Sequence, residues 1–162
     1  MKLNVRIDDR MIHGQVAAIW CNKLKTSRII VANDNVANDD IRKMALKMAA
    51  PAGVKVSVLI KEKVIKNMKA GKYDSDNVLL ILTNPEDAIT LIENGIELPL
   101  INVGNMATRD NTVQIKKSIN VTKKEAEDFK KLEEMGVKLT AIMVPDENEN
   151  NLIDFLKDAK MY

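Results

Sequence analysis

The only histidine of the chain lies in a short polar segment near its start, residues 6–15, which we call the His13 segment (RIDDRMIHGQ). The segment also contains Arg6 and Arg10, two of only five arginines in the sequence, and both precede His13. A neutral imidazole is a nucleophile near pH 7, and planar guanidinium groups bind phosphate in a bidentate manner. These residue types predict a site at which His13 accepts a phosphoryl group while Arg6 and Arg10 balance its charge.

The neighbours of His13 are consistent with the same chemistry. Gly14 begins a predicted helix and leaves room for a ligand, so His13 is expected at a helix N-terminus, where unpaired N–H groups favour an anion. We expect Asp8 and Asp9 to orient the arginines or a ring N–H of His13, and Gln15 to support the loop. The alternative is structural: loop capping by the acids and simple arginine–aspartate ion pairs.

Short apolar runs alternate with amphipathic segments along the whole chain, which predicts an α/β fold. Strands are predicted at residues 3–7, 28–32, 54–60, 78–82, 98–103 and 138–144, and helices at 14–25, 36–50, 61–70, 84–95, 122–135 and 151–160. The less regular stretch 104–120 is expected to hold a short strand or hairpin. We therefore predict a single domain over residues 1–162, with a mostly parallel open β-sheet of about six or seven strands and helices on both faces.

The loops that follow parallel strands meet at one edge of the sheet, where ligands bind. Beyond the His13 segment, the residues expected to line the site at this edge are Asn33, Asp34, Thr83, Gly104 and Asn105. Helix N-capping is the alternative role for Asn33 and Asp34. We also expect Met11 and Ile12 at the centre of a modest docking surface around His13.

Composition excludes several classes of protein. The chain has 25 Lys+Arg and 23 Asp+Glu, and its formal net charge of +2 gives no indication of nucleic-acid binding. One cysteine, Cys21, excludes an internal disulfide, and with a single histidine neither a metal site nor a metal hydrolase is expected. No apolar run approaches the ~20 residues of a membrane span, so we expect a cytoplasmic protein. The nine methionines, including Met44 and Met48 at helical spacing, are expected to fill the core.

The His13 segment, extended to Val16, closely resembles the active-site loop of the IIB components of the mannose/fructose/sorbose family of the bacterial sugar phosphotransferase system. Further segments that resemble the family are distributed along nearly the whole chain, at residues 28–34, 47–54, 102–106, 136–138 and 144–145. One position departs from the family pattern, because Asn105 stands where the later loop commonly has the second glycine of Asn-Val-Gly-Gly-Met.

The resemblance implies a phosphoryl relay. In this family the IIB protein takes a phosphoryl group from the phosphohistidine of the IIA component and passes it to a sugar entering through the membrane IIC and IID components. His13 would be the acceptor, usually through Nδ1, and Arg6 and Arg10 would hold the group. The implied protein is a protein-phosphohistidine–sugar phosphotransferase without a resident cofactor, cytoplasmic and transiently at the inner face of the membrane. The alternative is a non-catalytic module that binds a phosphorylated metabolite or a protein at the same edge.

Overall fold

Six parallel strands form the central sheet of the computed structural model, which describes residues 1–162. The strands of the chain are β1 (Lys2–Asp8), β2 (Arg28–Ala32), β3 (Lys55–Leu59), β4 (Asn77–Leu82), β5 (Leu100–Asn105), β6 (Val113–Lys116), β7 (Ile119–Val121) and β8 (Lys138–Thr140). The sheet has the spatial order β3-β2-β4-β1-β5-β8, and β6 and β7 form a separate antiparallel hairpin. The predicted fold class is confirmed, and the hairpin accounts for the less regular stretch.

Helices cover both faces of this sheet. They are α1 (Gly14–Leu24), α2 (Asp34–Ala37), α3 (Asp40–Ala49), α4 (Lys61–Lys69), α5 (Pro85–Glu93), α6 (Lys123–Glu134) and α7 (Leu152–Asp158). Alternate residues of a strand point to opposite faces, so in β4 Leu79 faces a smaller core beneath α1–α3, and Leu80 faces a larger core beneath α4–α7. None of these helices combines the length and the apolarity that crossing a bilayer requires.

Two predicted elements are interrupted or shortened relative to their apolar patterns. The segment predicted as one helix, 36–50, is divided between α2 and α3, because the Asp39 carboxylate accepts a hydrogen bond from the Arg42 N–H at 3.1 Å and starts a new helix. The strand predicted at 138–144 ends at Thr140. Beyond it, the Asn102 side-chain oxygen accepts the Ile142 N–H at 2.9 Å and replaces the strand ladder.

The prediction that methionines fill the core is wrong for α3. Leu46 is the buried residue of this helix, and Met44 and Met48 are both exposed. Positions two residues apart on an α-helix are separated by about 200° around its axis. Once Leu46 packs against the sheet, the methionines on either side of it therefore face solvent.

Candidate active site

The carboxyl ends of β1, β2, β4 and β5 lie at the same edge of the sheet, as predicted. β1 lies between β4 and β5, and its Ile7 is aligned with Leu82 on one side and Val103 on the other. The His13 segment therefore emerges between the ends of two neighbouring strands. The residues that follow β5 lie directly beside it.

A tight turn reverses the chain immediately after β1. The Met11 N–H donates to the Asp8 carbonyl at 2.9 Å, and Met11 has a φ of 64°, in the left-handed region. Met11 and Ile12 are both buried in the smaller core, so the prediction that they form the centre of a docking surface is wrong. Their apolar side chains are removed from water beneath the turn, and the next residue, His13, lies on the surface.

His13 is exposed at the N-terminus of α1. Its backbone is extended (φ −106°, ψ 113°), its carbonyl accepts the Ala17 N–H at 2.8 Å, and its side chain does not cap the helix. Gly14 and Gln15 are exposed in the first turn, where N–H groups lack partners within the helix. Each of the other six helices has an acidic residue in its first turn, but α1 has none. The positive end of α1 therefore lies beside the imidazole without a neutralising carboxylate in that turn.

Arg6 is buried and held in one position. Its Nη1 donates to the Ile142 carbonyl at 3.1 Å, and its Nη2 donates to the Met143 carbonyl at 3.2 Å. Its guanidinium carbon lies 5.3 Å from the centre of the Trp20 ring. Burial lowers the pKa of Arg6 from its usual value, and the nearby Asp8 carboxylate opposes this effect. The guanidinium is thus a fixed positive charge rather than a mobile surface group.

Gly104 provides the space for that guanidinium. A Cβ atom at this position would lie 2.0 Å from Nη2 of Arg6 and 2.1 Å from its Cζ. The sequence predicted Gly104 as a residue lining the site, and the structure shows that its contribution is the missing side chain.

Asp8 connects the two arginines. This carboxylate, in a side chain with a relative exposure of 1%, accepts from Arg10 Nε at 3.1 Å and Arg10 Nη2 at 3.0 Å, and lies 3.4 Å from Arg6 Nη2. The Arg10 side chain is 30% exposed. Two guanidinium groups and one carboxylate leave a net charge of +1. His13, Arg6 and Asp8 line one small depression together, so the structure joins the three residue types that the sequence selected.

Asp9 has a different role from Asp8. Its Oδ1 accepts from the Asn105 side-chain amide at 2.9 Å, and its Oδ2 accepts from the Ala107 N–H at 2.7 Å. The Asp9 N–H in turn donates to the Asn105 carbonyl at 3.1 Å. Asn105 therefore fastens the His13 segment to the chain leaving β5, and glycine at this position would lack the side-chain hydrogen bond to Asp9.

The other predicted residues form a separate cluster at the same edge. Asn33 caps α2 by accepting the Val36 N–H at 2.9 Å, and its amide donates to the Thr83 hydroxyl at 3.3 Å. Asp34 accepts the Lys61 N–H at 2.8 Å. None of these bonds reaches the His13 segment. N-capping, the alternative named for Asn33 and Asp34, is what the structure shows for Asn33, whereas Asp34 binds the N–H of the first residue of α4.

Two contributions to the site were not found from the sequence. Trp20 lies in the predicted helix 14–25 and was not selected as a site residue, but its indole N–H donates to the Met143 carbonyl at 2.8 Å while its ring lies against Arg6. Ile142 and Met143 were predicted to be strand, and they are 136 and 137 residues from Arg6 in sequence. Backbone carbonyls have no residue-type signature, so no motif indicated this contact.

Comparisons with known proteins identify the family. The family model for the PTS system sorbose subfamily IIB component matches residues 2–162. The chain belongs to this family. It is 35% identical over 154 residues to the sorbose-specific EIIB component of Klebsiella pneumoniae, which covers 95% of this chain and 94% of that protein. The crystal structure of the IIBSor domain of the K. pneumoniae sorbose permease has a TM-score of 0.93 to this chain, with 34% identity and 98% of both chains covered.

A second relative is a longer protein. The chain is 40% identical over 151 residues to the mannose-specific EIIAB component of Escherichia coli K12, covering 93% of this chain but 47% of that protein. The chain therefore spans about half the length of this relative. The family resemblance predicted from the sequence is confirmed, and the chain is a IIB component of a sugar phosphotransferase system.

Proposed function

We propose that this chain carries a phosphoryl group on His13, receiving it from the phosphohistidine of a IIA protein or domain and giving it to a sugar that enters through membrane IIC and IID components. The observation that carries the proposal is the surroundings of the only histidine. His13 is exposed at the positive end of α1 and lines a small depression together with Arg6 and Asp8, and the buried Asp8 carboxylate also binds Arg10.

The proposed transfer conserves atoms and electron pairs. The lone pair of one His13 ring nitrogen attacks phosphorus, the donor's N–P bond breaks, and its electron pair returns to the donor imidazole. Each ring keeps the N–H on its other nitrogen, so no proton has to leave the site. In the second step a sugar hydroxyl oxygen attacks phosphorus, the hydroxyl proton passes to water, and the electron pair of the broken N–P bond returns to His13.

The two arginines have different parts in this proposal. Arg6, fixed on two backbone carbonyls, provides a preorganised positive charge that costs no rearrangement during transfer. Arg10 is held by Asp8 and is partly exposed, so its guanidinium is free to exchange the carboxylate for the arriving phosphoryl oxygens. The N–H groups of the first turn of α1 offer further contacts to the same oxygens.

Intact-mass measurement tests the proposal. After incubation with phosphoenolpyruvate, the general phosphotransferase proteins and IIA, we expect a gain of one phosphoryl group that maps to His13. The substitution His13→Ala should abolish the gain and leave the circular dichroism spectrum unchanged, because the side chain is exposed. Acid-labile phosphate on the variant would contradict the assignment of His13. No gain in the natural sequence would favour the non-catalytic binding module.

A further inference from the structure

Helix α3 presents an apolar surface that nothing in the chain covers. Ile41, Met44 and Met48 are 83%, 65% and 80% exposed, and Ala45 lies exposed among them. We call these four residues the α3 stripe. Their spacing of three and four residues places them in one line along the helix. The other exposed large apolar side chains of the protein are only 40–47% exposed, so the α3 stripe is the strongest apolar feature of the surface.

The α3 stripe ends beside His13. A Cβ atom at Gly14 would lie 3.8 Å from the carbonyl oxygen of Ala49, the last residue of α3. Met48 immediately precedes Ala49, and Gly14 immediately follows His13. From Met48 the stripe extends along the helix for seven residues to Ile41, about 10 Å at 1.5 Å per residue. A molecule bound at the Met48 end of the α3 stripe therefore also lies next to the N-terminus of α1, where His13 is exposed.

Basic side chains surround the α3 stripe. Helix α3 contains Arg42, Lys43 and Lys47 and one acid, Asp40. The nearby Asp39 carboxylate is occupied in capping the helix. A protein that binds this surface is expected to have an apolar patch bordered by carboxylates, because opposite charges at the rim steer two proteins together.

Resting on the phosphoryl relay proposed above, we propose that the α3 stripe is the docking surface for the IIA protein or domain that delivers the phosphoryl group to His13. A donor must bring its own phosphohistidine within bonding distance of the acceptor imidazole. The donor therefore has to contact the protein surface immediately around His13. A membrane bound to the α3 stripe would not need to lie near His13, so the position of the stripe favours a protein donor over a lipid surface. Flexible methionines also suit an interface that forms and separates in every cycle.

The test is the rate of transfer from phosphorylated IIA to His13, measured by rapid quench over a range of IIA concentrations. Met44→Glu and Met48→Glu place a carboxylate within the apolar part of the expected interface, close to the carboxylates expected at its rim on IIA. Each should lower the second-order rate constant at least tenfold, with the rate at saturating IIA nearly unchanged. Leu100→Glu is the matched control, because Leu100 is 44% exposed at the start of β5, the end of the sheet opposite to His13, and should not change the rate.

Phosphoramidate is a small phosphoryl donor that needs no docking surface. It therefore distinguishes a failure of the docking proposal from a failure of the phosphoryl relay. Both variants should react with it at the rate of the natural sequence. If they also accept from IIA at the natural rate, the docking proposal is overturned and the relay stands. If neither donor labels His13 in the natural sequence, the relay fails and the docking proposal fails with it. Binding to phosphatidylglycerol vesicles that is lost in Met48→Glu, with unchanged transfer from IIA, would assign the α3 stripe to the membrane and overturn the proposal.

Discussion

At the scale of single residues, the site depends on one arginine that is buried and one that is not. Arg6 has its guanidinium bound by the Ile142 and Met143 carbonyls, whereas Arg10 is held by the Asp8 carboxylate at the surface. The sequence predicted both residues and their chemistry. The difference in burial follows from distant backbone and from the absence of a side chain at Gly104, neither of which a local pattern contains.

Gly104→Ala should displace the Arg6 guanidinium, since the new Cβ would lie 2.0 Å from Nη2. We expect transfer from IIA to slow by about 10²-fold, the typical effect of misplacing a reacting or charge-balancing group by about 1 Å. Loss of the carbonyl contacts should also lower the free energy of unfolding by about 1–3 kcal/mol. Rapid-quench transfer and urea unfolding measure the two effects. A natural transfer rate in this variant would show that Arg6 need not occupy this position.

Lysine substitutions should distinguish the roles of the two arginines, because lysine keeps the positive charge but lacks the planar guanidinium group. Arg6→Lys should slow transfer and lower the unfolding free energy by about 1–3 kcal/mol, as it leaves buried carbonyls without donors. Arg10→Lys should slow transfer about tenfold, equivalent to about 1.4 kcal/mol, and change the unfolding free energy by less than about 1 kcal/mol. The same two assays apply. Equal effects of both substitutions on unfolding would contradict the proposed division between a fixed and an exchangeable arginine.

At the scale of elements, side-chain amides and carboxylates determine where strands and helices begin and end. Asp39 starts α3 in the middle of a continuous helical pattern, and Asn102 ends the ladder after β8 although apolar residues continue. Apolar periodicity therefore predicted the existence and order of the elements. It could not predict the end of β8, because Asn102 and Ile142 are 40 residues apart in sequence and only folding brings them together. The Asp39 cap is local, but it is a hydrogen bond between a side chain and a backbone N–H, which apolar periodicity does not detect.

An ion pair at the opposite edge of the sheet should make stability depend on pH. The Asp76 carboxylate accepts from Arg28 Nε at 2.8 Å and from the Ser27 hydroxyl at 3.1 Å, and the Arg28 hydrogen bond lowers the pKa of Asp76 from its usual value. A carboxyl group with a lowered folded-state pKa stabilises the fold above the unfolded-state pKa of about 3.9. That contribution is lost as the pH falls through the folded-state pKa.

Asp76→Asn should therefore cost about 1–3 kcal/mol of unfolding free energy at pH 7, with a smaller difference from the natural sequence as the pH approaches the lowered pKa. Urea unfolding at pH 7 and at about pH 3 measures both values. Asp110→Asn is the control, because Asp110 is exposed and forms no ion pair. A difference that stays constant between the two pH values would exclude the Asp76 charge as its cause.

At the scale of the whole molecule, parallel topology brings distant segments to the edge where His13 lies. Strand–helix alternation predicted this edge, and His13, Arg6 and Asp8 do meet there. The α3 methionines show the limit of such reasoning. Helical spacing indicates that one face of α3 is apolar, but the helix packs on Leu46 and leaves Met44 and Met48 outside. Periodicity identifies an apolar face, and only the folded chain shows what covers it.

The position of Trp20 has a practical consequence. It is the only tryptophan in the chain, it donates to the Met143 carbonyl, and it lies against the Arg6 guanidinium. The emission of an indole depends on the charges and hydrogen bonds around its ring. The protein thus has one intrinsic fluorophore in contact with Arg6 of the proposed phosphoryl site, and stopped-flow fluorescence should follow the proposed loading and discharge in real time without an attached dye.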